Sequence, residues 1–146
     1  MAESASAMSR HPDINIGILH DAAKEYAEAH LYMALARGSE LPTPGELGTT
    51  MVPYLKGLGE AVGELRRRLL DQLRSDDFRE AERLLAAMDA VVDMLAALDY
   101  PDGMTGGLRR TTDVARSLTE RSRADLTSAL VAERLRRDIA RHPISR

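Results

Sequence analysis

Apolar residues recur along this chain at intervals of three and four, the spacing of one face of an α-helix. Between Ile16 and Arg37 one such stripe runs through Leu19, Ala23, Tyr26, His30 and Met33, with Asp21, Glu25, Glu28 and Tyr32 together on the opposite side. Between Val52 and Arg74 the stripe is Tyr54, Leu58, Ala61, Leu65, Leu69 and Gln72, widened by Leu55, Val62 and Leu73. Glu60, Glu64, Arg67 and Asp71 recur on its far side. The pattern predicts that these acids face water, a cavity or a second subunit, and that His30 is a packed residue.

Breaks in the pattern divide the chain into four helices. Gly38 stops the first, and GSELPTPGELGTT reads as a loop punctuated by Pro42, Pro44, Gly45 and Gly48. Thr49 or Thr50 is a plausible N-cap of the second, with Pro53 in its first turn. Ser75 or Asp76 would cap the third, expected to reach about Leu98. DYPDG is a further turn, and a fourth helix is expected from Thr105–Leu108 to about Ala140. The expected fold is all-α: an antiparallel bundle over residues 16–141, between a disordered tail (1–15) and a short one (142–146).

Composition agrees and narrows the chemistry. The 146 residues include one Phe, four Tyr and no Trp, and runs of β-branched or aromatic residues that would signal strands are missing. The absence of cysteine excludes disulfides, zinc–thiolate sites and thiol nucleophiles, and fits a reducing compartment. No apolar run approaches the roughly 20 residues that span a bilayer. MAESASAMSRHPD lacks the apolar stretch of a signal peptide, so the cytoplasm is the expected location and no membrane contact is expected. The net charge of −3 leaves any nucleic-acid contact to local Arg clusters. There is no Walker loop, dinucleotide fingerprint or Glu-x-x-His motif.

Two acidic pairs stand out: Glu25 with Glu28, and Glu60 with Glu64. Each has helical spacing, so each sets two carboxylates on one side of its helix. Glutamates are common on solvated helix faces, and that is one reading. The other is a pocket for a hard divalent cation. Four residues on from Glu25, Glu28 and Glu60 stand Ala29, Tyr32 and Glu64, so no downstream cation neutralises them. Glu64 meets Arg68 but also lies near Asp71.

Gly57, Gly59 and Gly63 fall within one helix, each costing roughly 1 kcal/mol relative to Ala. They predict close approach by a ligand or by another backbone. Arg66, Arg67 and Arg68 follow, with Arg109 and Arg110 at the start of the last helix. The Arg fork suits phosphate, although such a run is commonly a solvated face. RLRRDIAR (134–141) reads as a solubilising helix end.

These residues resemble the translin family, and translin-associated factor X with its archaeal relatives more than translin itself. The resemblance rests on Glu25-Tyr26-Ala27-Glu28-Ala29 and on Tyr54-Leu55-Lys56-Gly57-Leu58-Gly59-Glu60-Ala61-Val62-Gly63-Glu64-Leu65. It extends over roughly residues 16–130. It implies helical subunits assembled into hollow, roughly octameric shells that admit single-stranded RNA. The factor X type is a Mg²⁺-dependent endoribonuclease, whereas translin binds RNA or DNA without those acids.

By resemblance, Glu25, Glu28, Glu60 and Glu64 match the family's catalytic, metal-holding positions, with Glu60 where some members carry Asp. Mg²⁺, or Mn²⁺ in its place, is the implied cofactor. Lys56, Arg66 and Arg67 are the candidates to position the strand. The implied partners are single-stranded RNA, with DNA as the alternative, and further translin-family chains in a homo- or hetero-oligomer. The second implied role is a non-catalytic binding or scaffold subunit. Family members carry about two more long helices before KEYAEAH, where this chain is expected to have only a short tail.

Overall fold

Helix-forming stretches separated by Gly and Pro become four helices in the structure, a computed structural model that describes residues 16–98 and 107–142. They are α1 (Ile16–Arg37), α2 (Met51–Arg74), α3 (Phe78–Ala96) and α4 (Leu108–Arg141). There is no strand among the described residues, and no helix among them is long and apolar enough to cross a membrane. The DYPDG turn and the N-terminal tail lie outside the described residues.

α2 is the central element, packed against all three others, and α1 rests almost wholly on it. The α2 stripe is buried as its periodicity predicts, through Tyr54, Leu58, Ala61, Leu65 and Leu69. Leu84, Met88 and Leu95 of α3 close on it with no more than a trace of exposure. Each such side chain contributes roughly 1.5–3 kcal/mol. The inner face of α4 is Leu108, Thr112, Ala115, Thr119, Ser122 and Leu126, a strict alternation of four and three. Its small side chains admit close packing. The hydroxyls of Thr112, Thr119 and Ser122 donate to the carbonyls of Leu108, Ala115 and Leu118 at 3.0, 2.9 and 2.8 Å, so their burial leaves no donor unmet. Past Leu130 all described residues but half-buried Glu133 are exposed, as expected for the basic helix end.

Three expectations are corrected. In α1 the buried residues are Ala27, Leu31, Ala34 and Ala36, not the Tyr26–His30–Met33 stripe. Tyr26 is 51% and Met33 45% exposed. His30 is exposed too, its ring tilted against Tyr26 and its Nδ1 2.9 Å from the Tyr26 carbonyl. The cap of α3 is Asp77, which accepts from the Glu80 amide at 3.1 Å. Asp76 has a left-handed φ of +57° and closes the turn before it. Thr50 does precede α2 but makes no side-chain cap bond.

The end of α1 is fixed from another helix. Gly38 turns the chain at φ +68°, and Arg83 of α3 donates to the carbonyls of Leu35 (3.1 Å) and Ala36 (2.7 Å). Glu80 holds Arg83 in place through two bonds of 2.7 Å. That bidentate partner pulls the Glu80 carboxyl below its ordinary range.

Candidate functional site

The glycines of α2 set how closely the site elements approach. A Cβ on Gly57 would lie 2.8 Å from both the Glu28 amide nitrogen and the Lys24 carbonyl oxygen. α1 and α2 therefore meet backbone to backbone, closer than any side chain permits. Gly59 instead leaves room for a side chain of α4: a Cβ there would collide with the Thr111 methyl group. Gly63 is different: a Cβ there would meet only Leu118, at 4.0 Å, so the expectation of close approach fails at this one position.

This contact turns Glu28 of α1 toward Glu60 and Glu64 of α2. Lys24 Nζ bridges the helices, 2.9 Å from Glu60 Oε2 and 3.1 Å from Oε1. The bond to Glu60 raises the Lys24 pKa. Glu28 is half-buried, and partial burial raises its carboxyl above the ordinary range. The negative charge of Glu60 adds to this, Lys24 opposes it, and Glu64 and then Glu25 add further. The burial and the neighbouring acids thus outweigh Lys24 at Glu28. Glu25 is exposed and acts on Glu28 least of the four charged neighbours.

The arginines separate. Arg66 donates to Ser122 Oγ at 2.9 Å and to Asp125 Oδ2 at 2.8 Å, bracing α2 against α4. Arg67 is exposed and reaches Glu64 at 3.6 Å, an ion pair worth little in water. Arg68 reaches Glu80 at 3.9 Å. Lys56 stands apart from this run. It lines a cleft of about 390 Å³ formed by α1, the start of α2 and the start of α4. Its other lining residues include Lys24, Glu60 and Arg110.

The sequence reading missed Lys24. No cation stands four residues downstream of Glu25, Glu28 or Glu60, whereas Lys24 stands four residues before Glu28 and takes Glu60 from the facing helix. Arg110 was legible only as one of an Arg pair and His20 not at all, because nothing local in sequence shows that three helix segments meet in a cleft there.

Among the described residues no three acidic or histidine side chains converge on one point as metal ligands. The nearby donors are nonetheless of one chemical type, the carboxylate oxygen that a hard divalent cation takes. Glu28, Glu60 and Glu64 supply only oxygen, partial burial and then the charge of Glu60 raise the Glu28 carboxyl, and Glu60 already draws an ammonium to itself.

Comparison with known proteins places this arrangement. No protein-family model matches the chain. An uncharacterized protein of Methanocaldococcus jannaschii is 28% identical over 127 residues, which is 86% of this chain and 57% of that protein. The chain therefore spans little more than half the length of that curated relative. A structure of AfC3PO in complex with duplex RNA is 34% identical with a TM-score of 0.76, covering 90% of this chain and 69% of that one. A crystal structure of AfC3PO gives 34% and 0.75, with 89% and 68% covered. The chain belongs to the translin family. Within it, the chain is of the archaeal, factor X-like type that AfC3PO represents.

Proposed function

We propose that this chain binds RNA and cleaves single-stranded RNA with the help of Mg²⁺. The observation that carries the reading is the acidic patch of Glu28, Glu60 and Glu64, set at the backbone contact of α1 and α2 in a chain similar to a protein solved with RNA. Glu28, Glu60 and Glu64 would hold the cation, with Glu25 at the rim. Bound there, Mg²⁺ or Mn²⁺ would activate a water and offset charge on the scissile phosphate. The half-buried Glu28, with its raised pKa, would be the carboxylate most relieved by the cation. Lys24 would give up Glu60 to the metal and stay as a cation beside the strand. Lys56 and the exposed Arg67 would contact phosphates, while Arg66 keeps α4 in register.

A second reading is a non-catalytic RNA- or DNA-binding subunit. The Lys24–Glu60 ion pair favours it, because that pair already satisfies one carboxylate.

The outer face of α1 supports assembly with further translin-family chains, either copies of this one or a second family member. It exposes Ile18, Tyr26 and Met33 on one helix, an apolar surface suited to a partner.

Labelled single-stranded and duplex RNA incubated with Mg²⁺ or EDTA, beside Glu28→Gln and Glu60→Gln/Glu64→Gln, tests the activity. Cleavage that needs both the metal and the acids is the expected result. RNA bound but never cut establishes the second reading instead.

A further inference from the structure

Beside the acidic patch lies the cleft of about 390 Å³, in the size range of small-ligand sites. α1 lines it with His20, Asp21 and Lys24, α2 with Lys56 and Glu60, and α4 with Arg110. The charges are not balanced in place. Lys24 is paired to Glu60, but Lys56 and Arg110 form no ion pair among the described residues. Asp21 is the one other acid among the described residues that line the cleft. Elsewhere on α2 and α3, Arg66, Arg68, Arg74 and Arg83 all reach a carboxylate. Two unpaired cations lining one cleft from different helices carry the field that attracts an anion. Glu60 belongs both to the cleft wall and to the acidic patch, so an anion in the cleft is next to the carboxylates.

We infer that this cleft is a phosphate subsite, in which Lys56 and Arg110 grip a phosphodiester of the RNA strand adjacent to the one presented to Glu28, Glu60 and Glu64. The inference rests on the RNA-binding reading above and extends it to Arg110 and to a defined place in the fold. Arg110 supplies a planar fork for two phosphate oxygens, and Lys56 a point charge. Lys24 adds a third cation whenever Glu60 is engaged elsewhere. The exposed start of α4 forms the rim, with Gly107 at its cap position and no acidic residue in its first turn.

The test is equilibrium binding of a labelled single-stranded RNA oligonucleotide in EDTA, where no cleavage occurs. It compares the wild-type chain, Lys56→Gln/Arg110→Gln, and Glu28→Gln/Glu64→Gln across a salt series. Lys56→Gln/Arg110→Gln is expected to bind on the order of tenfold more weakly, with a slope of log affinity against log salt shallower by about 1. Glu28→Gln/Glu64→Gln is expected to bind as well as wild type or better. Far-UV circular dichroism and unfolding midpoint are expected to be unchanged in Lys56→Gln/Arg110→Gln, since neither side chain holds an ion pair or side-chain hydrogen bond among the described residues. Amide shifts at 107–111 on titration of inorganic pyrophosphate, absent in that variant, locate the anion. If wild type binds RNA and Lys56→Gln/Arg110→Gln binds equally with the same salt slope, the subsite is overturned while the RNA reading stands. If wild type binds no RNA at any salt, both fall.

Discussion

Gly57 of α2 and Lys24 of α1 meet without a side chain between them: a Cβ on Gly57 would lie 2.8 Å from the Lys24 carbonyl oxygen. Alanine has the better helix propensity by roughly 1 kcal/mol. The backbone it would strike cannot move as a side-chain end can. Gly57→Ala is therefore expected to destabilise the chain by about 1–3 kcal/mol, read as a lower urea midpoint. Gly63→Ala, which meets only Leu118 at 4.0 Å, is expected to stabilise it by about 0.5–1 kcal/mol. Equal effects of the two substitutions would contradict the backbone contact.

Glu28 titrates higher in the folded chain than in the unfolded one, chiefly through partial burial and then through the carboxylate of Glu60. Between those two values the folded chain binds more protons, so this group's contribution to stability falls as pH rises through the carboxylate range. Glu28→Gln removes that contribution. The variant is expected to gain on wild type as pH rises from about 4 to 7, measured by paired thermal unfolding curves. A constant difference across that range would show that Glu28 titrates normally.

Mg²⁺ bound to the native patch and not to the unfolded chain raises the unfolding midpoint by mass action. A midpoint that climbs with millimolar Mg²⁺ in wild type, and stays flat in Glu28→Gln/Glu64→Gln, is the expected outcome. Differential scanning fluorimetry suffices to see it.

Arg66 is expected to behave as a brace. Arg66→Ala leaves Asp125 without its partner and is expected to lose about 1–3 kcal/mol by urea unfolding. Arg66→Lys recovers little, because one ammonium does not span Ser122 and Asp125 as the guanidinium fork does.

Tyr26→Lys/Met33→Lys charges the exposed face of α1 without touching Ala27 or Leu31. A fall in oligomer mass by light scattering, with helix content retained, is the expected result.

Much of the fold was legible because α2 is amphipathic in the ordinary way, with one apolar stripe and charges opposite. α1 was not, for a physical reason. It carries apolar or small residues nearly all round, so periodicity selects no face. The choice is made by Gly57, whose missing side chain receives α1 along Lys24, Ala27 and Glu28. That is a property of another helix. The acids were legible as pairs, but their pairing partner was not, since Glu60 meets Lys24 across 36 residues of sequence. Arg66 and Arg67 are neighbours in one run, and only the position of α4 decides that the first is tied down and the second exposed. The cap of α3 was missed by one residue because Ser75, Asp76 and Asp77 are all good cap types; the left-handed backbone at Asp76 decides among them.

The contact at Gly57 also acts as a fixed gauge. With α1 and α2 touching through their main chains, the gap between Glu28 and the acids of α2 cannot be widened or narrowed by exchanging packing residues. The adjustment left is the length of the carboxylate arms themselves, one methylene at a time. The size of cation the patch would favour under the proposed function would therefore be tuned by swapping Glu for Asp at position 60, while the frame around it stays still.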